Sequence, residues 1–175
     1  MRTNLFIAAL LVCAGAFAQD EESADDPCGP PADKKISALL EKAAKTKDPV
    51  ERHQVLKSTL EIDADCAECL FQLGISAYKR ASEGGASFDP AIGYLVRLRD
   101  KCPEYHSDLY YHLGTMYYAQ EKFPESAQAF KKFLDFPRDN AAKLAKDIDK
   151  KTADVEEVMP DLKFYMDFYK EGAEA

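Results

Sequence analysis

From Asp33 onward, apolar residues recur every three or four positions, the spacing of helices that bury one stripe. Ile36, Leu39 and Ala43 line a first predicted helix, and Leu56 with Leu60 lines a second. Asp48-Pro49 opens the second. An Asp can accept from the free N–H groups of a first turn, and a Pro there gives up an N–H that lacks a partner anyway. Leu70, Leu73 and Gly74 belong to a third helix, and Ala91, Leu95 and Leu98 to a fourth. Between those two, Ser82-Glu83-Gly84-Gly85-Ala86-Ser87 predicts a loop, and Asp89-Pro90 repeats the cap-and-proline start with Asp89 as the cap. Tyr110, Leu113, Gly114 and Tyr117 predict a fifth helix; Phe123, Ser126, Phe130 and Phe133 predict a sixth, closed by Pro137.

These helices come in pairs, and the pairs repeat: 33–66, 67–106 and 107–138. In the last two units a Leu-Gly step, Leu73-Gly74 and Leu113-Gly114, sits on the first helix. A glycine there removes a side chain where the paired helices cross, Ser126 does the same from the second helix, and large aromatics fill the remaining space. The first unit is degenerate, with Leu40 in the place of the glycine. Beyond Pro137, residues 139–175 predict C-terminal capping helices: one from Asp139 through Val155 and Val158, broken or kinked at Pro160, and a last one with Leu162, Phe164, Tyr165, Phe168 and Tyr169. A stack of repeats leaves an apolar face at its end that such a cap covers. The expected fold is all-α.

The N-terminus follows a different pattern. Arg2 precedes the apolar run Leu5–Val12, and Ala16-Phe17-Ala18 fits the small-x-small rule for cleavage, so 1–18 reads as a signal peptide and 19–32 as an acidic, flexible leader. Val12 before Cys13 argues against a lipid anchor there. The formal net charge is −8, and loss of Arg2 would make it −9, 22 Lys plus Arg against 31 Asp plus Glu. Such a surface repels nucleic-acid phosphates and anionic lipid, so neither is an expected partner, and no segment is expected to insert in a membrane.

Export changes how the cysteines read. Cys28, Cys66, Cys69 and Cys102 remain after cleavage, an even number in an oxidising compartment, which favours two disulfides. Cys69 begins the first helix of the second unit and Cys102 ends its partner; Cys28 and Cys66 flank the first unit in the same way. Antiparallel packing brings such ends together, so the expected pairs are Cys28–Cys66 and Cys69–Cys102, with Cys28–Cys69 plus Cys66–Cys102 left open. Cys66-Ala67-Glu68-Cys69 also has redox spacing, and four cysteines could hold zinc; the all-helical surroundings lack the βαβ context of the first. His53, His106 and His112 are scattered, without metal-ligand spacing, and no nucleophile motif is present. No enzyme activity and no cofactor are expected.

The order Tyr110, Leu113-Gly114, Tyr117, Phe123, Ser126, Phe130, Pro137 resembles the tetratricopeptide repeat (TPR). Departures are Ser126 for the usual Ala, Phe133 for a small residue, and Pro137 one position early. Further stretches, Cys66–Cys69, Lys101–Tyr111, Lys131–Phe136 and Phe164–Tyr169, are similar to the N-terminal TPR module of exported Bacteroidetes proteins. In those a β-propeller and an OmpA-like peptidoglycan-binding domain follow, and some members belong to outer-membrane assemblies such as type IX secretion. The resemblance covers most of the mature chain. It implies about three repeats and a periplasmic scaffold for a protein or peptide partner, of the kind of an outer-membrane assembly subunit. A spacer domain within a longer chain is the alternative, since Ala175 falls where a propeller would begin. In TPR phase, Tyr110 and Tyr117 point inward. The concave face would carry Phe71, Gln72, Ile75, Tyr78 and Lys79 from the second unit and Asp108, Tyr111, His112, Thr115 and Tyr118 from the third. The places of the basic clamp that holds acidic C-termini carry Phe71, Ile75, Tyr111 and Thr115, so such a ligand is not expected.

Overall fold

The computed structural model describes residues 26–137 and 142–173, with side chains of the last helix from Lys146 to Lys163. The proposed signal peptide, residues 19–25 of the leader and the aromatic stretch Phe164–Tyr169 as side chains lie outside the described residues. Seven helices and no strand make up the described part: α1 (Lys34–Lys45), α2 (Pro49–Ile62), α3 (Ala67–Gly84), α4 (Asp89–Lys101), α5 (Ser107–Ala119), α6 (Phe123–Asp135) and α7 (Ala142–Ala173). The fold is all-α. α1–α2, α3–α4 and α5–α6 form three successive hairpins, α2 packs on α3, and α6 packs on α7.

Local chemistry explains the helix ends. Asp33 accepts from the Lys35 N–H at 2.6 Å, and Asp48 accepts from the Glu51 N–H at 2.6 Å, each opening its helix. The start of α4 differs by one position from the sequence expectation. Asp89 is its first helical residue, and the Asp89 N–H is taken by Ser87 Oγ at 3.1 Å. The loop before it is also shorter than expected, because Ser82, Glu83 and Gly84 are still helical. α3 ends where Gly85 turns left-handed at φ 66°, a conformation that costs a glycine nothing.

The hairpins close over the two Leu-Gly steps. A Cβ on Gly74 would lie 2.2 Å from Leu95 Cδ2, and one on Gly114 would lie 2.4 Å from Phe130 Cδ1. Ser126 is fully buried, and its hydroxyl donates to the Gly114 carbonyl at 2.8 Å. It therefore supplies a hydrogen bond that the usual alanine would not. One continuous core runs from Leu70 through Leu95, Leu98, Leu109, Leu113, Phe130 and Phe133 to Val155 and Leu162. The first hairpin packs a smaller cluster, Ala43, Val55 and Leu56, against Leu73 of α3.

Two expectations are corrected. Pro160 does not divide the C-terminal region into two helices; it lies inside the single α7. Val155 and Leu162 are buried on either side of it, and this packing offsets the lost backbone hydrogen bond. The disulfides are Cys28–Cys102 and Cys66–Cys69, not Cys28–Cys66 and Cys69–Cys102, nor the other alternative. The reason is local. Cys66 caps α3 and Cys69 lies one turn inside it, with their Cα atoms 5.2 Å apart, so the nearest thiol to Cys69 is on its own helix. The leader then crosses the end of α4 and brings Cys28 to Cys102, Cα to Cα 5.7 Å.

Candidate binding face

α3 and α5 lie side by side as the first helices of consecutive hairpins. Two turns of α3, with the start of α5 and the turn before it, contribute to a row of rings. At one end, the Phe71 ring is 5.6 Å from Tyr105 and 5.2 Å from His106. Tyr105 donates its hydroxyl to the Glu68 carboxylate, which also accepts from Gln72 Nε2 at 2.7 Å. Burial, then the bond and charge of Glu68, push the Tyr105 phenol well above its ordinary range. In the middle, the Tyr78 ring is 4.6 Å from His112 and stacks 5.9 Å from Phe88, and Tyr111 meets His112 edge-on at 5.4 Å. His112 is neutral at physiological pH: burial above all, with the nearby Lys151 and Lys79 charges, pulls it down to about 4 against the opposing pull of Asp108 and Asp147. Its Nδ1 is buried without a hydrogen-bond partner among the described residues.

α7 takes the next place in the row. Lys151 reaches back to Asp108 at 2.8 Å and to Asp147 at 2.5 Å, and its ammonium lies 5.4 Å from the Tyr111 ring centroid. Burial works against the Lys151 charge, but the hydrogen bonds to the two carboxylates outweigh it and raise its pKa. Tyr111 donates to Asp154 Oδ2 at 3.3 Å, and burial together with the Asp154 charge pushes its phenol up to about 12.

The ten residues singled out from the sequence therefore separate into three groups. Tyr78, His112, Tyr111 and Asp108 join one cluster, with Asp108 and Tyr111 engaged by α7. Phe71, Gln72, Ile75 and Lys79 line the α3 side, Gln72 and Lys79 exposed and Phe71 and Ile75 half-buried. Thr115 turns its hydroxyl back to the Tyr111 carbonyl at 2.9 Å, and Tyr118, 39% exposed, lies against Phe123 at the far end of α5. Sequence reading missed Glu68, Tyr105, His106, Lys151 and Asp154 as members of this face. Tyr105 and His106 lie in the turn before α5, outside any helical phase. Lys151 could have been found from its i, i+4 pairing with Asp147.

A shallow groove of about 300 Å³ continues the face toward the first hairpin, lined by Leu40, Ala44, Arg52 and Leu56 and sharing Glu68 and Gln72 with it. Among the described residues no group of three or more His, Cys, Asp or Glu is placed to hold a metal ion, and no helix is long and apolar enough to cross a membrane. No family model matches the sequence, and no curated protein matches it. The arrangement offers aromatic faces, an exposed lysine and amide, and carboxylates already tied to neighbours.

Proposed function

We propose that this chain is a non-enzymatic helical-repeat scaffold of TPR type, exported to the periplasm, whose α3–α5 face binds a segment of a protein partner in an outer-membrane-associated assembly. The observation that carries the binding reading is the row Phe71, Ile75, Gln72 and Lys79 along α3, half-buried or exposed among the described residues, while Asp108 and Tyr111 of the neighbouring α5 are engaged by α7. Aromatic and aliphatic side chains on rigid helices make good anchors, since they bury large area at small cost in rotamer freedom. Export is supported by the charge and apolar pattern of residues 1–18 and by two disulfides, which persist in oxidising compartments. The assembly reading rests on the resemblance of the repeat and inter-repeat stretches.

The test is capture from envelope extract with the native chain and with Phe71→Ala/Ile75→Ala/Lys79→Ala, after both have shown the same helical circular dichroism and cooperative melting. A polypeptide held by the native chain and lost by the variant, and photocrosslinked from position 72, establishes the face. A partner held equally by both removes the interface from α3 and defeats the reading.

A further inference from the structure

A second surface, away from the α3–α5 face, has an unfilled place. α6 and α7 enclose an open groove of about 490 Å³ whose floor is apolar: Ala127, Leu134, Met159 and Pro160. Lys131 and Lys163 outnumber Glu156 at its rim. The preceding hairpins show what such a place takes. α4 lies over α2 and α3, with Tyr94 on the Val55, Leu56 and Leu73 cluster, and α6 shares the core of α4 and α5. In each case the occupant is a helix with an apolar stripe. No described helix stands in that position over α6 and α7.

One helix end has the matching chemistry. α7 continues for ten residues past Lys163, about 15 Å at the rise of an α-helix. α6 has only four residues ahead of Ala127, about 6 Å, so the end of α7 runs on past it. The sequence of that stretch carries Phe164, Phe168 and Tyr169 at stripe spacing, with Asp167 and Glu171 against Lys170, a net negative charge opposite to the rim. It cannot enter the groove of its own chain, because it continues the helix that forms one wall.

We propose that the α6–α7 groove is the seat of a second copy of this chain, with residues 164–173 of each α7 lying in the groove of the other in a two-fold symmetric dimer. Groove and helix end sit on the same element, so one contact satisfies both at once, as a self-complementary interface requires.

Sedimentation equilibrium between about 1 and 200 μM (a range that brackets weak dimers, Kd near 10 μM) reads the outcome against the mass of one chain, 19.6 kDa for all 175 residues and less once 1–18 is removed. The native chain should sediment at twice that mass at the upper end. Met159→Glu and, separately, a chain ended after Lys163 should each remain monomeric there. Leu162, the last buried residue described, is retained in the shortened chain, and melting by circular dichroism confirms that both variants are folded. Lys163→Glu should raise the dissociation constant at least several-fold. A native chain that stays monomeric throughout overturns the proposal. So does a dimer that survives Met159→Glu, which moves the interface elsewhere, or one that survives the shortening, which shows that the end of α7 is not the occupant. A monomeric shortened chain that binds a synthetic peptide of residues 161–175, paired with a monomeric native chain, would assign the groove to another polypeptide's helix and equally overturn it.

Discussion

Single atoms decide much of the packing. At Gly114 an added methyl would fall within 2.4–2.9 Å of three atoms of the Phe130 ring, which is buried and cannot flex as an aliphatic chain end would. Gly114→Ala should therefore cost about 1–3 kcal/mol, the usual range for overpacking. Gly93→Ala, on the same kind of helix but with nothing within 4 Å of the new Cβ, should instead stabilise by up to about 1 kcal/mol. Urea unfolding midpoints of the two variants check the sign of each. His112 gives a second residue-scale prediction. Its pKa is lowered from 6.5 to about 4 by burial, so the folded state binds its proton less readily than the unfolded chain. The stability it permits is complete above about pH 6.5 and is lost as pH falls toward 4. His53 acts in the same direction, since burial and the charges of Arg80 and Lys57 lower it too. Replacing the imidazole in His112→Phe removes one of these titrations. The fall in unfolding free energy between pH 7 and 4.5 should be shallower by roughly 2 kcal/mol, within the limit set by the shift. An unchanged slope would show that His112 does not titrate in this way.

The helices of the three hairpins are legible because their signals lie in short stretches of sequence. Leu73-Gly74 and Leu113-Gly114 mark crossings that the partner residues Leu95 and Phe130 complete, and Asp48-Pro49 marks a start that needs no tertiary help. What escaped is what depends on distance in space or on competition between neighbours. The extent of α3 to Gly84 was hidden because Ser82 and Gly84 have low helix propensity, which packing of Ala77 and Ala81 overrides. The pairing of the cysteines does not follow from the hairpin ends, because Cys66 and Cys69 lie one turn apart and bond to each other. The two bonds should differ widely in worth. In the chain-entropy model a crosslink spanning 74 positions contributes about 4 kcal/mol, and one spanning 3 contributes about 2. Cys28→Ser/Cys102→Ser should accordingly lower the melting temperature clearly more than Cys66→Ser/Cys69→Ser. The reverse order would mean that α3's first turn is held by its bond far more than loop closure allows.

At the level of the whole molecule, the second and third hairpins and the long helix share one core with the first hairpin's smaller cluster beside it, and the two proposed interfaces lie where that packing leaves a described surface unfinished. One is the open α3 row; the other is the groove beside α7. Neither was visible as such in the sequence, where phase alone placed Tyr111 and Asp108 on an open surface. Lys151 and Asp154 of α7, more than 40 positions away, close that part of it. The Cys28–Cys102 bond also sets the path that tension takes. A pull between the N-terminal arm and α7 enters at Cys28 and passes straight to Cys102, so α1 to α4 lie in a slack loop that carries no load. Only α5 to α7 stand in the line of force. In an optical trap the oxidised chain should release less length than the reduced one by about 250 Å, the extended span of the 74 bypassed positions. A protein anchored at one end and gripped at the other would thus yield its last hairpin first and keep the open α3 row shaped under strain.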